Sequence, residues 1–275
     1  MTKIKLALCQ MNVVDNKEKN IKTARLMIEE SISKNADFII LPEMFNCPYS
    51  NDKFIEYGEK EKSSETLSEI SKLAKSNNVY ILAGSIPEIE EDKLYNTSYL
   101  FDRQGNVIAK HRKMHLFDID VKGKITFKES DVLTAGNEFT IADTEFGKVG
   151  IGICYDIRFP ELAKIMVENG ALILIYPGAF NMTTGPAHWE LLFRSRAMDN
   201  QAFCIGVAPA LNNDASYHSY GHSIITNPWG EVIAQASEKE SLIISEIDLS
   251  EIKKVREELP LLKNKRDDLY EVIQK

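Results

Sequence analysis

One order of elements occurs twice along this chain of 275 residues, and that repetition restricts the fold more than any single motif does. In the first half, apolar runs at Ile4–Met11, Phe38–Glu43 and Val79–Ser85 alternate with amphipathic stretches at Asn16–Lys34 and Ser64–Ser76, and a hairpin pattern follows at Asn96–Lys110. In the second, the runs fall at Val149–Cys154, Leu172–Pro177 and Phe203–Pro209, the amphipathic stretches at Phe159–Asn169 and Pro186–Asn200, and the hairpin at His222–Gln235. Short continuous apolar runs read as buried strands, and longer stretches with apolar residues three and four apart read as helices. The hairpins align best: Ser98-Tyr-Leu-Phe-Asp-Arg-Gln-Gly105-Asn-Val-Ile-Ala109 against Ser223-Ile-Ile-Thr-Asn-Pro-Trp-Gly230-Glu-Val-Ile-Ala234. Each places a glycine where the turn requires positive φ. Strands alternating with helices form parallel sheets through right-handed crossovers. Two such units, related by a pseudo-twofold axis with their sheets face to face and helices outside, predict a four-layer αββα sandwich of the α/β class.

The length suits one domain spanning 1–275. Hydrophobic residues make up 44% and charged residues 27% of the chain, as in ordinary globular proteins, and no apolar run approaches the ~20 residues of a membrane helix. Met1-Thr2-Lys3-Ile4 runs straight into a strand pattern without the features of a secretory signal, so the cytoplasm is the expected location and no membrane partner is expected. The four cysteines, at 9, 47, 154 and 204, are too widely spaced for a disulfide framework and contain no C-x-x-C pair, which predicts free thiols and no metal. A net charge of −8 without a basic stripe excludes a nucleic-acid partner as the expectation.

The inferred symmetry superimposes Cys9 on Cys154 and Pro42-Glu43 on Pro177-Gly178, gathering strand ends at one edge, where parallel α/β sheets bind ligands. Cys154 ends a Gly- and Ile-rich strand pattern just before a helical run opening at Arg158-Phe159-Pro160-Glu161. Such a corner offers a thiol unpaired backbone N–H groups and the positive end of a helix, which lowers its pKa. Taken alone, a cysteine in a strand is an ordinary buried apolar residue. Glu43 ends the buried-strand pattern Phe38-Ile-Ile-Leu-Pro-Glu43, and Lys113 follows the first hairpin in His111-Arg-Lys113-Met-His115-Leu-Phe-Asp118. A thiolate attacking a carbonyl or nitrile carbon needs a base that takes up its proton and returns it to the leaving nitrogen, and a cation where negative charge develops. Glu43, Lys113 and Cys154 supply those types. Cys9 and Cys204 read as core, and Cys47 lies in a loop without a base. His111, His115, His188, His218 and His222 fall in no context that connects them to Cys154. The chain contains no G-x-S-x-G elbow, phosphate-binding glycine loop or His-Glu-x-x-His site.

With these residues in view, the chain closely resembles the nitrilase, or carbon-nitrogen hydrolase, superfamily over nearly its whole length. The segments that carry the resemblance are Leu41-Pro-Glu43-Met-Phe, His111-Arg-Lys113-Met-His-Leu-Phe-Asp118 and Gly150-Ile-Gly-Ile-Cys154-Tyr-Asp-Ile-Arg-Phe-Pro-Glu161. The stretches Tyr176–Glu190 and Asn227-Pro-Trp-Gly230 and the tail Lys265-Arg266-Asp-Asp-Leu-Tyr270 are most similar to the omega-amidase branch. The resemblance implies an αββα sandwich, a Glu43-Lys113-Cys154 catalytic triad, a further carboxylate at Glu129, a small-molecule amide substrate, no cofactor, and a homodimer or larger assembly. The tail, about 250–275, is expected in the subunit interface. The Tyr155 backbone N–H is expected to help hold the oxyanion. Tyr49, Arg158 and the loop from Phe180 to Thr184 follow catalytic strand ends or flank Cys154, and are expected to bind a substrate carboxylate. For Arg158 the competing expectation is a salt bridge that shapes the turn. A deaminated-glutathione amidase and a non-catalytic scaffold are the alternatives.

Overall fold

The computed structural model describes residues 2–273. Two six-stranded sheets organise them. The first runs in the order β14 (Ser241–Asp248), β1 (Lys3–Gln10), β2 (Phe38–Ile40), β3 (Tyr80–Glu90), β4 (Lys93–Phe101) and β5 (Val107–Arg112). The second runs β8 (Thr140–Thr144), β9 (Gly147–Ile151), β10 (Ala171–Pro177), β11 (Phe203–Val207), β12 (Ile224–Thr226) and β13 (Val232–Gln235). In each, three parallel strands are followed by an antiparallel hairpin, and the edge strand beside the first parallel strand is antiparallel to it. The two halves therefore correspond strand by strand, except that β8 precedes its sheet in sequence whereas β14 returns from the far end of the chain.

The strand pleat assigns the layers. In β1, Ile4, Leu6 and Leu8 enter one core with Phe38, Ile40, Val149, Ile151, Ile173, Ile175 and Ile205, which lies between the sheets. Ala7 and Cys9, pointing the other way, pack with Met27 and Ile28 of α1 (Lys17–Ser33) and Leu67 and Ile70 of α3 (Glu65–Asn77). On the second sheet, Leu174 and Cys204 pack with Leu162 and Met166 of α4 (Pro160–Glu168) and Trp189 and Phe193 of α5 (Gly185–Asn200). Helices, sheet, sheet, helices is the expected four-layer order. Both outer helices of the first half begin where a side chain can cap them: Asn16 Oδ1 accepts the Lys19 N–H at 2.8 Å, and Ser64 Oγ accepts that of Leu67 at 2.9 Å.

Several boundaries differ from the sequence expectation. β2 stops at Ile40, so Leu41, Pro42 and Glu43 lie beyond the strand. β9 stops at Ile151, and Cys154 opens a 3-10 turn, Cys154–Arg158, before α4 starts at Pro160. β3 runs on to Glu90 past an irregularity between Ala83 and Ile86. That irregularity follows a close approach: a Cβ on Gly84 would lie 2.0 Å from the Pro42 carbonyl oxygen. Only glycine lets β3 pass so near the segment that carries Glu43. Additional elements are β8, β14, α2 (Asn51–Tyr57), α6 (Ser250–Glu258) and a separate hairpin of β6 (Asp118–Val121) with β7 (Ile125–Lys128). In the tail, the Leu259 carbonyl accepts a hydrogen bond from Gln201 Nε2 and Lys265 pairs with Glu168, both on this same chain; residues 274–275 lie outside the described residues.

Candidate active site

Glu43, Lys113 and Cys154 each lie just past the end of a strand, β2, β5 and β9 respectively, and Glu129 follows β7. Strand ends are rigid, and these four side chains meet in the interior: Glu43, Lys113 and Glu129 are 0% exposed and Cys154 is 4% exposed. Lys113 Nζ donates to Glu43 Oε1 at 3.0 Å, to Glu129 Oε1 at 2.9 Å and, more weakly, to the Tyr49 hydroxyl at 3.3 Å. All three ammonium protons are engaged. The second oxygen of each carboxylate is held by backbone: the Ala179 N–H donates to Glu43 Oε2 at 2.7 Å and the Phe117 N–H to Glu129 Oε2 at 2.7 Å. Asn96 Nδ2 adds a 2.8 Å bond to Glu43 Oε1, and its carbonyl accepts the Lys113 N–H at 2.9 Å.

Two carboxylates and one ammonium leave an excess negative charge in a dry place. Burial, together with Glu129, pushes the Glu43 pKa up against the opposing pull of Lys113. Burial also works against the Lys113 ammonium, but Glu129 and Glu43 outweigh it and hold its pKa well above the ordinary lysine value. Burial, followed by the nearby Glu43 charge, drives the Cys154 pKa well above that of a free thiol. The expected lowering by a helix end is therefore overturned. The corner is a single 3-10 turn, and desolvation beside a carboxylate exceeds what its N–H groups offer. At rest the thiol is neutral and needs a base.

Cys154 sits in the left-handed region, at φ 49°, a conformation that costs a non-glycine residue on the order of 1–3 kcal/mol. Its neighbour must be small: a Cβ on Gly178 would lie 3.2 Å from Cys154 Cα and 3.3 Å from Trp189 Cζ3. Among the described residues, the Tyr155 backbone N–H makes no hydrogen bond to a backbone acceptor.

The expected carboxylate-binding residues separate into two groups. Arg158 lies with its guanidinium 4.7 Å from the Phe180 ring centroid and 5.5 Å from that of Tyr155. Its polar contact is His188, at 3.1 Å, and its buried Nε has no hydrogen-bond partner among the described residues. Tyr49 instead lies inside the charge cluster, its hydroxyl donating to Glu129 Oε1 at 2.5 Å. The Thr184 hydroxyl and N–H both turn to Asn181 Oδ1, at 3.3 and 2.9 Å, just before α5. A cavity of about 30 Å³ reaches Glu43 between Tyr49, Ala179 and Tyr217. A larger apolar cavity, about 320 Å³ between Met114, Phe159 and Ile273, includes none of the four clustered residues. The sequence reading missed Asn96, Tyr217 and the Ala179 N–H. Asn96 stood at an expected hairpin boundary, the Ala179 donor is backbone, and Tyr217 lies in a loop with no periodic signal.

The sequence pattern of the Carbon-nitrogen hydrolase family matches residues 5–257. The chain is 48% identical over 272 residues to omega-amidase NIT2 of Homo sapiens, covering 99% of this chain and 98% of that protein. It is 50% identical over 280 residues to the chloroplastic omega-amidase of Arabidopsis thaliana, covering 99% of this chain and 75% of that one. Among solved structures it is similar to Nit3 of Saccharomyces cerevisiae, a member of branch 10 of the nitrilase superfamily, with a TM-score of 0.89 and 42% identity, covering 96% of this chain and 97% of that one.

Removing the ammonium exposes the balance of charge. Without Lys113, the strongest influence lowering the Glu43 pKa is lost, so its folded-state value rises further above its unfolded one. Stability from such a group is complete below the unfolded pKa and lost as pH rises through the folded one. Lys113→Met is expected to cost about 3–5 kcal/mol at pH 7.5 and clearly less at pH 5. Urea denaturation at the two pH values measures this, and an equal loss at both would contradict it.

Proposed function

The chain belongs to the carbon-nitrogen hydrolase family, and from that premise we propose that it is an omega-amidase, hydrolysing the terminal amide of a 2-oxo acid such as 2-oxoglutaramate through a thioester on Cys154. The observation that carries the chemistry is the buried cluster itself: an ammonium held between Glu43 and Glu129, beside a thiol and a carboxylate whose pKa values are both raised by burial. The relatives at 48% and 50% identity support the substrate class.

Glu43 takes the Cys154 proton as sulfur attacks the amide carbon. The carbonyl oxygen becomes an oxyanion held by Lys113 and the Tyr155 N–H. Of the three Lys113 contacts, the 3.3 Å one to Tyr49 is the weakest, and its proton is the one that turns to the oxyanion. The carbon–nitrogen bond then breaks, and Glu43 returns its proton to the nitrogen, which leaves as ammonia. Water enters, Glu43 removes its proton, the oxygen–carbon bond forms and the carbon–sulfur bond breaks, and the thiol recovers the proton. Glu129 keeps Lys113 in place throughout. The cavity of about 30 Å³ beside Glu43 suits a water molecule. For the substrate carboxylate we assign Arg158, because its guanidinium is partly desolvated without a carboxylate contact in its hydrogen bonds, with Tyr155 and Phe180 as its apolar bed. Thr184 closes the loop at that side, and Tyr49 acts through Lys113 and Glu129.

A homodimer is part of the same reading. Leu191 and Met198 on α5 are 64% and 45% exposed, and Trp229 is 51% exposed, which suits an apolar interface to which the tail after α6 adds. A reducing compartment such as the cytoplasm suits four free cysteines, and no helix among the described residues is long and apolar enough to cross a membrane.

Three outcomes are expected. Ammonia release from 2-oxoglutaramate is lost in Cys154→Ala with its circular-dichroism spectrum unchanged, and substantial turnover by that variant would reject the nucleophile. In the same assay Arg158→Met raises KM about tenfold or more with a smaller change in kcat, as expected when a charge-assisted contact is lost; a KM no higher than that of a distant surface variant would remove its role. Sedimentation equilibrium at micromolar concentration is expected to return a dimer mass, and a monomer would remove that assignment.

A further inference from the structure

Residues two before and two after Lys113 converge on one carboxylate, and that carboxylate stands two residues after Cys154. Asp156 is completely buried. Its Oδ1 accepts the His115 backbone N–H at 2.9 Å and lies 2.7 Å from His115 Nδ1. Its Oδ2 accepts the Ile153 N–H at 2.9 Å and lies 3.0 Å from His111 Nε2. An ionised carboxylate offers about four lone-pair positions, so Asp156 is saturated. Both ring contacts are hydrogen bonds only if the facing nitrogen carries the proton, which places N–H on Nε2 of His111 and on Nδ1 of His115. The rings are held from behind as well: His111 Nδ1 lies 3.0 Å from Thr140 Oγ1 on β8, and His115 stacks on Phe159 with centroids 3.6 Å apart.

A carboxylate needed only to close the 3-10 turn would require the Ile153 bond alone. The other three bonds come from His111, near the end of β5, and from His115 in the segment after it that carries Lys113. We propose that Asp156, gripped by His111 and His115, is a positioning residue that locks the Cys154 turn to the Lys113 segment and so sets the thiol–ammonium geometry for the reaction. The proposal rests on the reading of Cys154 and Lys113 as catalytic residues. Cys154, with its positive φ, lies between Ile153 and Asp156, the two residues that the Ile153 N–H bond joins. The histidines for which the sequence offered no connection to Cys154 thus reach its turn through Asp156.

The test compares His115→Ala with His115→Asn, whose side-chain N–H can replace the Nδ1–H, alongside Asp156→Asn, which keeps size but turns an amide N–H toward donors. Misplacement of reacting groups by about 1 Å can cost on the order of 10²-fold in rate. His115→Ala is expected to lower kcat for 2-oxoglutaramate by about 10-fold to 10²-fold with KM nearly unchanged, and His115→Asn to recover most of that loss. Asp156→Asn is expected to fall at least as far; if it does not fold, the His115 pair carries the test. Provided turnover depends on Cys154, a kcat for His115→Ala within about twofold of wild type, or no recovery by His115→Asn, overturns the proposal. Turnover retained by Cys154→Ala would instead reject the underlying reading.

Discussion

An ammonium buried between two carboxylates holds its place only when its geometry is fixed and the remaining polar atoms are satisfied, because desolvating the three charges costs several kcal/mol per ion. Lys113 meets that condition. Glu43 and Glu129 each face it with one oxygen and are anchored by a backbone N–H at the other, from Ala179 and Phe117. The donors come from different parts of the fold: Ala179 follows β10 of the second sheet, and Glu43 and Lys113 follow strands of the first. The two sheets must therefore face each other in one register for the cluster to form. The apolar core between them, with Leu8, Ile40, Ile151 and Ile175, sets that register.

The cluster also determines how the thiol behaves. One ammonium cannot neutralise two carboxylates, so the Glu43 pKa is raised and the Cys154 thiol keeps its proton at rest. In the proposed reaction, proton transfer between the two takes place beside a fixed cation, which limits reorganisation. Cys154, the proposed nucleophile, holds an unfavourable backbone conformation, and its surroundings leave little space to relax: Gly178 and Trp189 lie against it.

The four-layer sandwich was legible because its signals are repeated. Apolar runs, helical periodicity and the paired glycines Gly105 and Gly230 appear in the same order in both halves, and both glycines do take positive φ, at 78° and 88°. β14 was not legible, since it pairs with β1 across almost the whole chain and no local pattern announces that partner. β8 is short and half polar, and the β6–β7 hairpin alternates residues without a buried face. Glu43, Lys113 and Cys154 were visible as residue types at the ends of strand and hairpin patterns, Glu129 only through the family resemblance, and the four lie together. The thiol's pKa was misjudged because burial is a property of the assembled sheets. Asp156 was overlooked because it reads as an ordinary turn residue, and its partners lie 41 and 45 positions away in sequence.

In the proposed reaction Cys154 carries the acyl group. Peptide mass spectrometry of enzyme acid-quenched during turnover of 2-oxoglutaramate tests it most directly. An acyl adduct on the Cys154 peptide that hydroxylamine removes is the expected result; ammonia release with the adduct on Cys9, Cys47 or Cys204, or on a residue other than cysteine, would rule Cys154 out.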